Sequence, residues 1–292
     1  MKKFYTSLII EKNLGIGTIK SVHRILHPTF EMAVRDNILR QNPTSNLIKE
    51  IANKAQKPKK RHSLTTEQQS VFVDFINASP KYRRYTSLIT FALGTGCRIG
   101  ECLGLQWEDC DFDNSVLTIR HNLIYHKGEN DEKTTFKMHP VKTPTGENRI
   151  IPMLDEVKSA LLTVKAEQAE SGLKSSPIDG YSHFVFTNRY GQAYTPQAIN
   201  KEYRRIRKAY NKAEENAANK ENRNPVLLPA FSSHSLRHTF CTRFCENETN
   251  LKVIQEIMGH ADITTTMNIY NEATKDVKTD SFKNLQGKIK IG

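Results

Sequence analysis

No stretch of about 18 apolar residues occurs in the chain, which excludes a transmembrane helix of ordinary length. The basic N-terminus is followed only by Leu8-Ile9-Ile10, too short for the apolar region of a secretion signal. Paired cysteine spacings are missing as well. The five cysteines, Cys97, Cys102, Cys110, Cys241 and Cys245, are odd in number, so reduced thiols and a cytosolic setting are expected rather than a disulfide framework. No internal repeat is visible. Acid is scarce: 31 Asp and Glu stand against 43 Lys and Arg, a formal net charge of +12. That deficit points to a polyanionic partner, although ribosomal and membrane-surface proteins share it. The hydrophobic fraction is a modest 37%, but 292 residues still suffice for a sizeable core, with two domains as the expectation.

What is present is best taken in order. Residues 1–50 read as helical. Ile19, Val22, Leu26, Phe30, Ala33 and Val34 recur at three- and four-residue steps, the mark of an amphipathic helix. Gly15 and Gly17 should precede it, Thr18 should cap it, and Pro28 should kink or interrupt it. Residues 52–63 carry Lys54, Lys57, Lys59, Lys60 and Arg61 and no acid. This reads either as a solvated linker or as a basic strap along a nucleic-acid backbone.

A new domain is expected from Leu64. Thr65 or Thr66 caps its first helix, a second covers 85–93, and a third begins near Gly100 and closes at Trp107. Residues 116–119 read as a strand. Thr143-Pro144-Thr145-Gly146 signals a turn and Arg149-Ile150-Ile151-Pro152 a returning strand, which puts Lys142 at or beside a hairpin turn. A helix over 155–170, a short strand at Phe184-Val185-Phe186 and a long basic helix opened by Pro196 follow. That helix carries Lys201, Arg204, Arg205, Arg207 and Lys208. Residues 211–224 turn polar and read as a mobile insertion. Ser233 should cap the next helix, Asn250 should cap another that stops at Gly259, and Asp262 should cap a short one ending at Tyr270.

The stretch 231–270 holds the densest chemistry. His234 and Arg237 lie three residues apart and so share a helix face. A transferring phosphoryl group spreads charge over its non-bridging oxygens, and planar bidentate donors stabilise it well, which favours arginine. Arg98, after a Gly-Thr-Gly turn, would be the second such donor. His234 and His260 suit proton exchange or hydrogen bonds to phosphate, Tyr270 suits a nucleophile once its phenol is deprotonated, and Lys142 suits a leaving-group acid. Each has a plainer reading when taken singly: a surface arginine, a structural histidine, a packed tyrosine, a solvent-exposed turn lysine. His234, His238, Cys241 and Cys245 lie on one helical stripe, but one continuous helix cannot wrap a tetrahedral ion, so no metal site is expected.

Taken together, Arg98 in GTGCRIGE, Lys142 in VKTPTGENRIIP, His234-Ser235-Leu236-Arg237, His260 in MGHADITTTMNIY and Tyr270 resemble the tyrosine recombinase family in order and spacing. Within it the chain is most similar to integrases of conjugative transposons and temperate phages. The fold this implies is mainly α with a small antiparallel β-sheet: a partial helical core DNA-binding domain and a mixed α+β catalytic domain. The expected bounds are 1–51 for the first, 52–63 for the linker, 64–274 for the catalytic domain and 275–292 for a tail that docks on a neighbouring subunit. The resemblance presents the chain as a piece of something longer at its N-terminus.

The chemistry it implies is attack by Tyr270 on a DNA phosphate, leaving a 3′-phosphotyrosine and a free 5′-hydroxyl, with no cofactor or metal. Arg98 and Arg237 would clamp the phosphate, His234 and His260 would assist, Lys142 would serve the leaving group, and Glu101 would orient Arg98. Lys54 to Arg61 and the basic residues of the 196 helix would contact DNA phosphates. The implied partners are double-stranded recombination sites, three further copies in a tetramer and a directionality factor, in a cytoplasmic setting without membrane contact. Type IB topoisomerases share the chemistry but reseal the same strand, and a non-catalytic DNA-binding regulator on this scaffold is the reading from another class.

Overall fold

The computed structural model describes residues 1–53, 63–126, 134–141 and 148–273, and the chain divides into two compact units, Met1–Arg61 and His62–Gly292. The architecture is mainly α with small antiparallel sheets, as the resemblance implies. Lys54 to Arg61, Lys142 and the tail 275–292 lie outside the described residues. Among the described residues, no helix is long and apolar enough to cross a membrane.

The first unit holds α1 (Lys2–Ile10), α2 (Ile16–Arg35) and α3 (Leu47–Ile51). Tyr5, Ile9, Ile19, Leu47 and Ile51 form its buried core, with Ile16 and Leu26 packed on it. Burial of Ile19, with Ile16 half-buried beside it, draws the start of α2 back to Gly15, so Gly17 and Thr18 lie inside the first turn and Thr18 is not the cap. Pro28 removes one backbone donor, yet α2 runs through it for 20 residues without interruption. The helix on both sides of it is held from outside: Asn42 donates to the His27 carbonyl and to Glu31, and His27 Nδ1 meets Thr44 Oγ1 at 2.9 Å.

The second unit opens with α4 (Thr66–Ala78), where Thr65 and Gln68 form a reciprocal capping box. Next come α5 (Thr86–Thr95) and α6 (Ile99–Leu103). Gly96 closes α5 in the left-handed region at φ 63°, and a Cβ there would collide with the Phe240 ring. Helix α6 ends at Leu103, and Trp107 instead opens a separate 3₁₀ turn, where its indole donates to Gln168. The strands are β1 (Cys110–Asp111), β2 (Val116–Ile119), β3 (His121–His126), β4 (Thr135–Pro140) and β5 (Arg149–Pro152). They form two antiparallel sheets, β1-β2-β5 and β3-β4. Strand β5 therefore returns to β2, with Ile119 opposite Arg149, and does not pair with the strand before the Thr-Pro-Thr-Gly segment as a hairpin would.

Helices α7 (Asp155–Ser171), α8 (Pro196–Glu221), α9 (Ser233–Asn247), α10 (Leu251–Met258) and α11 (Ile263–Ala273) follow among the described residues. Phe91, Leu103, Leu105, Leu117, Ile151, Val157, Tyr203, Ile206 and Leu236 belong to one buried core that joins α5 through α9 to the larger sheet, while α10 and α11 pack on α9 in a separate cluster. Residues 184–186 are buried but make only an isolated bridge, Phe184 to Gln106, rather than a strand. The expected insertion at 211–224 is mostly helix: α8 continues to Glu221 and ends at a left-handed Asn222. Alanine, glutamate and lysine favour helix. The return segment locks it in place through Asn211 to Leu228 (2.9 and 3.0 Å), Tyr210 to the Val226 carbonyl, and Glu214 to Arg223. The cap of α9 is Ser232, one residue earlier than expected, with Ser235 reaching back to its N–H.

Candidate active site

The turn between α5 and α6 delivers Arg98 as the residue just before α6, and Glu101 sits one turn on. Glu101 is 1% exposed. Its carboxylate accepts from the Arg98 N–H (2.8 Å), Arg98 Nη1 (2.8 Å), Arg149 Nη1 (3.2 Å) and Arg149 Nη2 (2.7 Å), which fills the lone-pair directions a carboxylate has. Burial alone would raise this carboxyl, but the charge and hydrogen bonds of Arg149, then Arg98 and Arg237, outweigh it and bring the pKa down to about 2. Glu101 is therefore ionised at neutral pH.

Helix α10 ends at Gly259, in the left-handed region at φ 60°, with the Gly259 and His260 N–H groups turned back on Glu256 and Gln255. The last carbonyls of a helix lack partners and carry its negative end. Here three consecutive ones are taken by three arginines from three places in the chain. Arg149 Nε donates to Ile257 (3.2 Å), Arg237 Nη2 to Met258 and Arg98 Nη2 to Gly259 (3.0 Å). Arg237 also donates to the Gly96 carbonyl at 2.6 Å, which ties α9 to the turn that carries Arg98. Arg237 is buried, whereas the Arg98 side chain remains 38% exposed. Burial, then repulsion from Arg98 and Arg149, lowers the Arg237 pKa to about 10, so it stays charged.

His260 follows directly. Gln255 donates to its carbonyl at 3.0 Å, and its Nδ1 lies 3.0 Å from Thr266 Oγ1 on α11. Burial, followed by the charges of Arg237, Arg98, Arg149 and His234, lowers its pKa to about 4, so its imidazole is neutral at pH 7. His234 is exposed in the first turn of α9. Tyr270 lies half-buried on α11, in the apolar cluster of Cys241, Cys245, Ile254 and Met258.

The structure thus gathers Arg98, Glu101, Arg237 and His260 around the end of α10, while His234 stands in the first turn of α9, the helix that carries Arg237. It seats Tyr270 against α9 and α10 nearby. Lys201, Arg204, Arg205 and Lys208 are exposed on α8, Arg205 pairs with Glu202, and Arg207 is half-buried. The sequence reading missed Arg149, which it treated as strand only. Strand alternation was the available signal: if Ile151 faces the core, so does Arg149, and an inward arginine requires an anion.

Residues 62–276 match the model of the Phage integrase family. The transposase from transposon Tn916 of Enterococcus faecalis is 34% identical over 275 residues, which are 94% of this chain and 63% of the relative. The chain therefore spans under two thirds of that relative's length. A XerC-like tyrosine recombinase of Caldanaerobacter subterraneus is 27% identical over 297 residues, 98% of this chain and 69% of the relative. Among solved structures, the Tn1549 transposon integrase in complex with a circular intermediate DNA superposes with a TM-score of 0.81 at 31% identity, covering 97% of this chain and 84% of that one. The same integrase in complex with transposon right end DNA gives 0.81 at 32% identity, with 98% and 84% covered. The resemblance to tyrosine recombinases read from the sequence is borne out, and the chain belongs to the phage integrase family.

Proposed function

We propose that the protein is a site-specific DNA recombinase that cleaves and rejoins strands through a 3′-phosphotyrosine and moves a mobile element by integration and excision. The observation that carries this reading is the arginine group at the end of α10. Three guanidiniums face one carboxylate, a formal surplus of two positive charges, next to a histidine held neutral. A phosphodiester gains negative charge on its way to a five-coordinate phosphorus, and a fixed cationic surplus stabilises that state more than the ground state.

In this reading Arg98 and Arg237 bind the non-bridging oxygens. The Tyr270 Oη attacks phosphorus, a P–O bond to tyrosine forms, and the P–O5′ bond breaks. His260, with Nδ1 on Thr266, offers Nε2 to the phosphate or the phenol proton, and His234 supports it. Lys142 protonates the leaving 5′ oxygen. The partner strand's 5′-hydroxyl then attacks the phosphotyrosine, which conserves the bond energy and requires no nucleotide hydrolysis. Double-stranded recombination sites are the substrate. Four copies on two paired sites, a directionality factor, phosphate contacts from Lys54 to Arg61 and from α8, and a cytoplasmic setting complete the proposal.

The test is covalent capture. Wild-type protein is incubated with a randomised pool of end-labelled nicked duplexes, and adducts are resolved on a denaturing gel. A 3′-linked adduct that disappears in Tyr270→Phe, with DNA binding kept, supports the reading. An adduct that persists in Tyr270→Phe, or none with the wild type, rejects it.

A further inference from the structure

We propose that Arg149 is a positioning residue of this site: it holds Glu101 and the last turn of α10 so that Arg98 and His260 are presented together. The inference rests on the phosphotransfer reading above. The Arg149 side chain is 4% exposed, so it acts through its neighbours and not on DNA. Its fork spans three places at once. Nη1 and Nη2 take both oxygens of Glu101, Nε takes the Ile257 carbonyl, and Nη2 also reaches Cys97 Sγ at 3.6 Å, next to Arg98 in the chain. The base of the side chain is fixed by the pairing of β5 with β2. Gly259 leaves room for it, since a Cβ there would stand 3.2 Å from Arg149 Cδ and Nη1.

Charge gives the arrangement its purpose. A buried carboxylate with Arg98 as its main partner would draw Arg98 inward or take up a proton, and either change loosens the clamp. Arg149 neutralises Glu101 from behind, so Glu101 can align Arg98 without consuming the site's positive surplus. A lysine cannot replace it, because one ammonium lacks the planar fork that meets two carboxylate oxygens and a carbonyl together.

The test uses the full chain and the duplexes captured by the wild type. Adduct formation is timed at saturating DNA, affinity is measured separately, and thermal melting reports folding. For Arg149→Met we expect the rate at saturation to fall about fiftyfold or more with affinity within about threefold, since the loss lies in the aligned transition state rather than in binding. Adding Glu101→Gln removes the unbalanced carboxylate and is expected to recover part of that rate, which two independent structural defects would not do. Arg149→Lys keeps the charge and is expected to fold and lose about tenfold; it decides the matter if Arg149→Met fails to fold. A folded Arg149→Met or Arg149→Lys that cleaves at the wild-type rate overturns the inference alone. Rate and affinity falling in parallel, or a double variant no better than Arg149→Met, also overturns it. No adduct with the wild type overturns the phosphotransfer reading and takes the inference with it.

Discussion

The second unit carries basic side chains in two settings that composition cannot tell apart. At the end of α10, Arg149 and Arg237 are almost wholly buried, and every guanidinium there has a named acceptor across 21 to 161 residues of chain. On α8, Arg204, Arg205 and Lys208 point to solvent, and the ion pair of Arg205 with Glu202 is local, three residues apart. Both sets contribute equally to the net charge. They differ in what fixes them: the first is held by a protein frame that has already met the cost of removing charge from water, while the second is free to follow a polyanion. In the proposed reading, chemistry belongs to the first setting and affinity to the second.

The strongest way to break that contrast is Arg237→Ala. Adduct formation is expected to fall by about a hundred- to a thousandfold, the usual cost of losing one preorganised donor to a developing oxyanion. Melting should also shift, because the Gly96 and Met258 carbonyls each lose a buried donor, at about 1–3 kcal/mol apiece. If the variant is as active as the wild type, the two settings are not functionally distinct. The complementary test joins Arg204→Ala to Lys208→Ala. Affinity should drop by about tenfold at physiological salt, and the plot of log affinity against log salt should become shallower by about 0.9 for each lost contact, with the cleavage rate at saturation unchanged. A slower saturated rate would move α8 into the chemistry.

A pH series sharpens the comparison further. His260 ionises near 4 in the folded chain and near 6.5 when unfolded. Between those values the unfolded chain binds the extra proton, so stability falls as pH drops through that window and is flat above it. Glu101, at about 2 against 4.5, extends the loss below pH 4.5. Melts of the wild type and His260→Gln from pH 4.5 to 8 should therefore diverge below 6.5, with the variant flatter; equal slopes would mean that His260 is not held neutral. The smallest effect is expected for Asn211→Ala, which removes two hydrogen bonds to Leu228 and should cost about 1 kcal/mol. No change in melting would return the C-terminal part of α8 to the mobile segment read from its composition.

The long amphipathic and capped elements were legible before the structure: α4 with Thr65, α10 between Asn250 and Gly259, and the Pro196 start of α8. These signals are local, because a cap and a period of 3.6 need only neighbours in sequence. Most of the misses share one physical source. Trp107, the 184–186 segment and the partner of β5 are decided by residues far away, Gln168, Gln106 and β2, whereas the order of 211–224 follows from helix-favouring residues and the adjoining 222–228 return, which a reading by polarity overlooks. The candidate site divided in the same way. Arg98, Arg237, His234, His260 and Tyr270 stood out by residue type and order, whereas Arg149 looked like one more strand residue until the carboxylate of Glu101 gave it a partner.

The bonds that build the arginine group span 48, 108, 141 and 161 residues. Contacts of such range carry a loop-closure cost that local helices avoid, and they are expected to form after the intervening chain is organised. A half-folded chain would therefore hold its basic helices, and their attraction for polyanions, well before it held an ordered guanidinium frame. The topology therefore predicts an order of assembly: charged helices first, and the arginine group only once α9 and α10 have docked on β5 and the α5–α6 turn.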